Sequence, residues 1–322
     1  MGESGAEEIM LMDAEHVRRR VRHLHIDVGG VSCFYREAGP ADAPVVLLPH
    51  GYPCSSYEFR NFMPALADRW RLLAPDFPGC GYSDTAPRFR HDFDGYADFL
   101  EQFLERTQVQ RFALYLHDFG SQIGLRLAMR RPERVAALII QNGDIYEDQL
   151  GPKYEPLQRY FRNPTPEARA ALGEAISEEG FEDEFLNDLR PEQAQCVPPD
   201  LWRLHWALMN DERRAIALDV IAGLKDNVAW FPRYQAYLRA HRPPALIVWG
   251  PHDGYMPEGA ARAYLRDLPE AELHLLDGGH WLLETNLDEV VHLSRDFLGR
   301  VHAARANEPS SSAAYTLPVK QR

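Results

Sequence analysis

Asp118, Asp253 and His280 each stand just beyond a short apolar run, in that order along the chain. A histidine oriented by a carboxylate can take a proton from water. A second carboxylate, held on a tight turn, can itself bond to carbon and form a covalent intermediate. Asp118 lies within FALYLHDFGSQIG, residues 112–124, where an apolar run stops at His117-Asp118-Phe119-Gly120 and a helical pattern begins at once. A carboxylate at such a turn sits at the carboxyl edge of a sheet, where open α/β folds bind ligands. Gly120 and Gly124 let the helix approach the strand closely. The same strand–turn–helix elbow with serine at its centre presents a nucleophile. Aspartate also caps helices well, so the elbow alone leaves two roles for Asp118.

Three further segments bear on that choice. Pro49-His50-Gly51-Tyr52-Pro53 follows the run VVLL. It is either an ordinary strand-end turn or a means of aiming the Tyr52 amide at the spot that the Phe119 amide also faces. Two converging N–H groups make an oxyanion hole. Asp253 follows ALIVW within GPHDGYMP, and His280 follows AELHLL within DGGHWLLE. An aspartate or a histidine alone in a loop is ordinarily just solvated. The order of acid, acid and histidine carries the weight, because it is the nucleophile–acid–histidine order of the α/β-hydrolase fold.

The elements that must hold these residues are short. Apolar runs at 31–37, 45–48, 70–74, 112–116, 135–140, 245–249 and 272–276 predict strands, several of them rich enough in branched residues to be covered on both faces. Residues 96–107 and 121–130 have helical spacing, with Phe99, Leu100, Phe103 and Leu104 on one face and Ile123, Leu127 and Ala128 on another. Strand alternating with helix predicts a doubly wound, mostly parallel sheet with helices on both faces. The alternation stops at residues 145–230, which predicts an inserted helical cap between core segments 21–144 and 231–302. Residues 1–20 and 303–322 have the composition of disordered ends.

The chain has 322 residues, 45% of them apolar, with a formal net charge of −13. That length supports a substantial core, and the acidity argues against a nucleic-acid partner. Cys33, Cys54, Cys80 and Cys196 lie far apart, which disfavours a disulfide scaffold or a thiolate zinc site. No apolar run is long enough for a membrane span, and the N-terminus lacks the pattern of a signal peptide. A cytoplasmic monomer or homodimer is expected. Neither a metal nor a cofactor is expected, because no P-loop, HExxH or dinucleotide fingerprint occurs.

HGYP, PDFPGCGYSD (75–84), HDFGSQIG, WGPHDGYMP and GGHWLLE, in this order, resemble the α/β-hydrolase superfamily, and within it the aspartate-nucleophile branch of epoxide hydrolases and haloalkane dehalogenases. The resemblance covers roughly residues 24–144 and 230–300. It implies that Asp118 is the nucleophile, His280 the base and Asp253 the residue orienting it. An apolar small-molecule electrophile is the implied substrate.

Two departures bear on the leaving group. Haloalkane dehalogenases hold halide with a tryptophan after the nucleophile and often an asparagine in HGNP, where this chain has Phe119 and Tyr52. A phenyl ring has no N–H to donate. Epoxide hydrolases usually protonate the opened ring with cap tyrosines, but the segment resembling the first cap motif (159–164) puts Leu157 in the tyrosine's place, and 212–222 has no tyrosine. Tyr52, Tyr154, Tyr160 and His205 are therefore the candidate acids, and Trp206 and Trp281 candidate substrate contacts; each is equally suited to packing. His117 is expected to be structural, and Asp76 and Asp84 to stabilise their loop. Asn142, near where some dehalogenases carry their acid, is an amide and leaves that role to Asp253. The expected activity is an epoxide hydrolase-like one. The alternatives are haloalkane dehalogenation, a non-hydrolytic isomerase or cyclase suggested by the missing cap tyrosines, and a ligand receptor on a hydrolase scaffold.

Overall fold

The structure, a computed structural model, describes residues 20–186 and 188–306. Eight strands make one sheet: β1 (Arg22–Val28), β2 (Val31–Ala38), β3 (Val45–Leu47), β4 (Arg71–Pro75), β5 (Phe112–His117), β6 (Val135–Gln141), β7 (Ala245–Trp249) and β8 (Glu272–Leu275). Their order across the sheet is β1-β2-β4-β3-β5-β6-β7-β8. The β1–β2 and β2–β4 pairs are antiparallel, and every other pair is parallel.

Alternation along each strand builds two cores. On β5, Phe112, Leu114 and Leu116 pack on one side with Phe99, Phe103 and Ile123 from the helices Phe93–Arg106 and Asp118–Arg130. Ala113 and Tyr115 pack on the other with Phe59, Phe62 and Phe297, the last from the helix Leu287–Ala306. Each of the leucine, isoleucine and phenylalanine side chains among them stabilises the fold by about 1.5–3 kcal/mol on burial. β3 lies between β4 and β5, so the chain leaves it toward one edge and returns on its other side. That reversal opens a crevice at the carboxyl ends of β3 and β5. Tyr52 follows the first of these ends and Asp118 the second.

Between β6 and β7 the described residues form helices and turns with no strand, through the successive helices Glu155–Arg162, Pro166–Leu172, Glu178–Leu186, Pro191–Ala194, Asp200–Ala207, Asp211–Ala222, Leu224–Val228 and Phe231–His241. Three arginines tie this segment to the sheet layer. Arg126 donates to the Tyr234 hydroxyl (2.8 Å) and the Asn227 side chain (3.2 Å), and its guanidinium lies 4.1 Å from the Trp230 ring centre. Arg213 donates to the Gly81 and Ser83 carbonyls (2.6 and 3.0 Å), and Arg190 makes a two-pronged pair with Asp277 (2.7 Å for each bond).

Two sequence expectations are corrected here. β1 was not among the predicted strands, because RHLHIDV is polar on its outward positions and pairs only with β2 at the sheet edge. The C-terminal disorder expected from residue 303 begins too early, since the last helix runs on to Ala306. Residues 1–19 and 307–322 lie outside the described residues. Among the described residues no helix is long and apolar enough to cross a membrane, and no group of three or more His, Cys, Asp or Glu is placed to hold a metal ion.

Candidate active site

The backbone at Asp118 has φ +47°, a left-handed conformation on a non-glycine residue. That costs about 1–2 kcal/mol and persists only where the surroundings enforce it. The enforcement is steric. A Cβ on Gly120 would lie 2.2 Å from the Pro49 carbonyl oxygen, and one on Gly124 would lie 2.5 Å from the Leu116 side chain. The elbow is thus wedged between β3 and β5 by glycines that admit no side chain. His117, extended, occupies the helix-capping position, and its side chain makes no capping bond. The Asp118 carboxylate instead accepts the Tyr52 amide at 2.6 Å and faces Nε2 of His280 at 3.6 Å. The helix-cap role is therefore excluded.

His280 stands between two acids. Its Nδ1 meets Oδ2 of Asp253 at 2.7 Å. Asp253 Oδ1 accepts the amides of Tyr255 (2.8 Å) and Met256 (3.0 Å), while Oδ2 also accepts the Asn142 side-chain amide (2.8 Å). Burial would raise the Asp253 carboxyl, but His280 and these donors overcome it and lower it to about 2. Burial likewise opposes the charge on His280, yet Asp253 and Asp118 together hold its pKa well above the usual value. Asp118 is held below the ordinary carboxylate range against the same burial penalty, by His280, His117 and the Tyr52 amide. His280 therefore stands between two carboxylates that both raise its affinity for a proton.

The turn at Tyr52 is fixed from both sides. His50 Nε2 accepts the Phe77 amide (3.1 Å), which leaves its Nδ1 to donate to the Gly51 carbonyl (2.9 Å). Glu58 accepts the Gly51 amide (3.2 Å) and pairs with Nδ1 of His117 (2.7 Å), while His117 Nε2 donates to the His280 carbonyl (3.0 Å). His117 thereby links the Tyr52 turn to the His280 loop. Phe119 follows Asp118 in the first helical turn, whose amides have no helical acceptor. Asp76 accepts the amides of Ser56 and Tyr82 at 2.8 Å each and organises its own loop. The exposed Asp84 takes part in the same loop through its main chain.

Asp118 opens onto a cavity of about 390 Å³ shared with Tyr52, Phe119, Tyr154, Leu157, Glu184 and Tyr255. Its remaining wall is largely aliphatic, with Leu172, Ile221, Leu224 and Met256. The Tyr52 and Phe119 rings stack at 5.6 Å and line a second, apolar cavity of about 70 Å³ as well.

Of the candidate acids, Tyr52 and Tyr154 reach the Asp118 cavity. Burial, with Asp144 nearby, raises the Tyr154 hydroxyl well above its usual value. His205 lines the smaller cavity, bonded to Ser55 (3.0 Å) and to the Leu201 carbonyl (2.6 Å), and burial lowers it to about 4. Tyr160 packs beside Phe161, and Trp206 packs on Phe181 beneath Arg214. Trp281 packs on His117 and Phe185, with its indole N–H donating to the Glu184 carbonyl (2.8 Å). Sequence reasoning passed over Glu184 and Tyr255. Tyr255 lies two positions after Asp253, a signal that could have found it; Glu184 sits in a Glu-rich helix and carries no such signal.

A model of the alpha/beta hydrolase fold family matches residues 44–287. An uncharacterized hydrolase of Saccharomyces cerevisiae, YNR064C, is 32% identical over 262 residues, covering 80% of this chain and 90% of the relative. A haloalkane dehalogenase of Mycolicibacterium paratuberculosis is 37% identical over 111 residues, 34% of this chain and 37% of the relative. The crystal structure of haloalkane dehalogenase DbeA from Bradyrhizobium elkani superposes with TM-score 0.72 at 26% identity, covering 88% of this chain and all of that one.

Proposed function

Because the chain belongs to the alpha/beta hydrolase fold family, we propose that it hydrolyses an apolar electrophile, an epoxide first, through a covalent ester on Asp118 and without a cofactor. The carrying observation is the Asp118 carboxylate itself: ionised, held by the Tyr52 amide, facing His280 and open to the largely aliphatic cavity. An ionised carboxylate attacks carbon without first losing a proton. The ester it forms is neutral, so one of the two charges that raise the proton affinity of His280 disappears. Neutral His280 then takes a proton from water, which attacks the ester carbonyl. The Tyr52 amide, already 2.6 Å from the carboxylate, and the Phe119 amide meet the oxyanion.

An oxygen leaving group agrees best with the cavity wall. Tyr52, Tyr154, Glu184 and Tyr255 can donate protons to an oxygen, whereas the indole N–H of Trp281, the neighbour of His280, is turned to a carbonyl. Haloalkane dehalogenation is the second reading, favoured by the similarity to the DbeA structure. The helical segment over residues 145–230 acts as the cap that roofs the site, since Tyr154, Leu157, Leu172 and Leu224 line the Asp118 cavity.

His280→Gln, exposed to a panel of epoxides and haloalkanes, is expected to gain the mass of one substrate on Asp118. An unmodified, fully active variant overturns the scheme. Diol against halide release in the wild type separates the two leaving groups, with Asp118→Asn inactive on both.

A further inference from the structure

We propose that Glu184, supported by Tyr255, is the acid that protonates the leaving oxygen, a role that rests on the ester mechanism proposed above. Both residues line the Asp118 cavity, and the Tyr255 hydroxyl donates to Oε1 of Glu184 at 2.8 Å. With Oε1 engaged, the proton of the neutral acid resides on Oε2.

The pair is tethered to the reacting residues through the main chain. The Tyr255 amide donates to Asp253 at 2.8 Å, and the Glu184 carbonyl accepts the indole N–H of Trp281, the neighbour of His280, at 2.8 Å. Glu184 comes from the helical segment and Tyr255 from the loop after β7, so the dyad forms only when that segment covers the sheet edge. Burial raises the Glu184 carboxyl to about 7, even though Lys153, the Tyr255 bond and His280 all favour its ionised form; Asp118 adds to the rise. Tyr52 also senses this carboxylate, and Lys153 and Glu174 line the same cavity. A sizeable fraction of Glu184 is thus neutral near pH 7, as a general acid requires. The other hydroxyls in the wall are less suited. Burial holds the Tyr154 and Tyr52 hydroxyls well above their usual range.

The protons balance over the cycle. An Asp118 oxygen bonds to an epoxide carbon as the ring C–O bond breaks, and the ring oxygen takes the Glu184 proton, leaving a hydroxyl ester and an ionised Glu184. Water gives one proton to His280 and its hydroxide to the ester carbonyl. Collapse expels an alkoxide that takes the proton back from His280, releasing the diol. The Asp118 carboxylic acid so formed returns its proton to Glu184 through water.

The test follows the ester-forming step alone, in His280→Gln, using styrene oxide as the probe and quenched-flow mass spectrometry as the readout. With Glu184 present, the alkylation rate is expected to fall as pH rises through neutrality. Glu184→Gln should slow it by about 100-fold and flatten its pH profile. Tyr255→Phe removes a bond that favours the ionised carboxylate, so it should move the midpoint of the profile upward. Alkylation at the parent rate with the parent pH profile in Glu184→Gln, or an unmoved midpoint in Tyr255→Phe, overturns the assignment while leaving the ester mechanism standing. If His280→Gln itself forms no ester, the ester mechanism fails and the assignment falls with it.

Discussion

The Asn142 side-chain amide donates to Oδ2 of Asp253 at 2.8 Å, the same oxygen that meets His280 Nδ1 at 2.7 Å. Asn142 is itself clamped to Gly250, donating to its carbonyl and accepting its amide at 2.9 Å each. The residue at the end of β6 therefore steadies the acid that orients the histidine, although as an amide it cannot be that acid. Asn142→Ala removes a hydrogen bond to a buried charge and is expected to cost about 1.5–3 kcal/mol. Urea denaturation measures that loss, and single-turnover kinetics should show ester breakdown slowed more than ester formation.

Acid stability should depend on Asp253. Its folded pKa of about 2 lies below the ordinary 3.8, so its contribution is present above that ordinary value and is lost as pH falls through about 2. A gap of this size corresponds to about 2 kcal/mol. Asp253→Asn should flatten that part of the stability–pH curve, measured by denaturant midpoints across the acid range. His280 acts in the opposite sense, since its raised pKa stabilises the fold below the unfolded value and that contribution fades as pH rises through the folded one.

Room beside Asp118 is set by Gly51. A Cβ there would lie 2.6 Å from the Asp118 Cβ and 2.9 Å from its Oδ1. Gly51→Ala should push the carboxylate off the Tyr52 amide and slow ester formation by about 100-fold, a size typical of small misplacements of reacting groups. Retention of the wild-type kcat would refute this.

The Tyr52 hydroxyl is buried and has no hydrogen-bond partner among the described residues. Leaving such a group unsatisfied costs about 1–3 kcal/mol. Tyr52→Phe is expected to raise the Tm of the free protein, and calorimetry decides the point. Unchanged epoxide turnover in that variant would also remove Tyr52 as a proton donor.

Arg126 is buried between the helix it stands on and the helical segment, paired with Asp94 at 2.5 Å as well as with Tyr234 and Asn227. Arg126→Met leaves Asn227 and Tyr234 without their charged donor. A loss of about 3 kcal/mol is expected, with proteolysis entering first between residues 145 and 241.

The strands from β2 to β8, the elbow at Asp118 and the order of Asp118, Asp253 and His280 were legible in the chain, because each is written in local signals: apolar runs, glycines at turns, and side chains placed just past strand ends. β1 escaped notice because an edge strand with polar outward positions lacks the apolar run that marks the others. Distance along the chain hid the rest. His205 faces the smaller cavity rather than Asp118 because the Tyr52–Phe119 stack lines both cavities, which no local pattern encodes. Glu184 and Tyr255 meet only because one arrives on the inserted helices and the other on the loop after β7. A residue's type and immediate neighbours decide whether it turns, caps or continues a strand; whether its carboxyl meets water, a hydroxyl or an imidazole is decided by segments that pack against it from elsewhere in the fold.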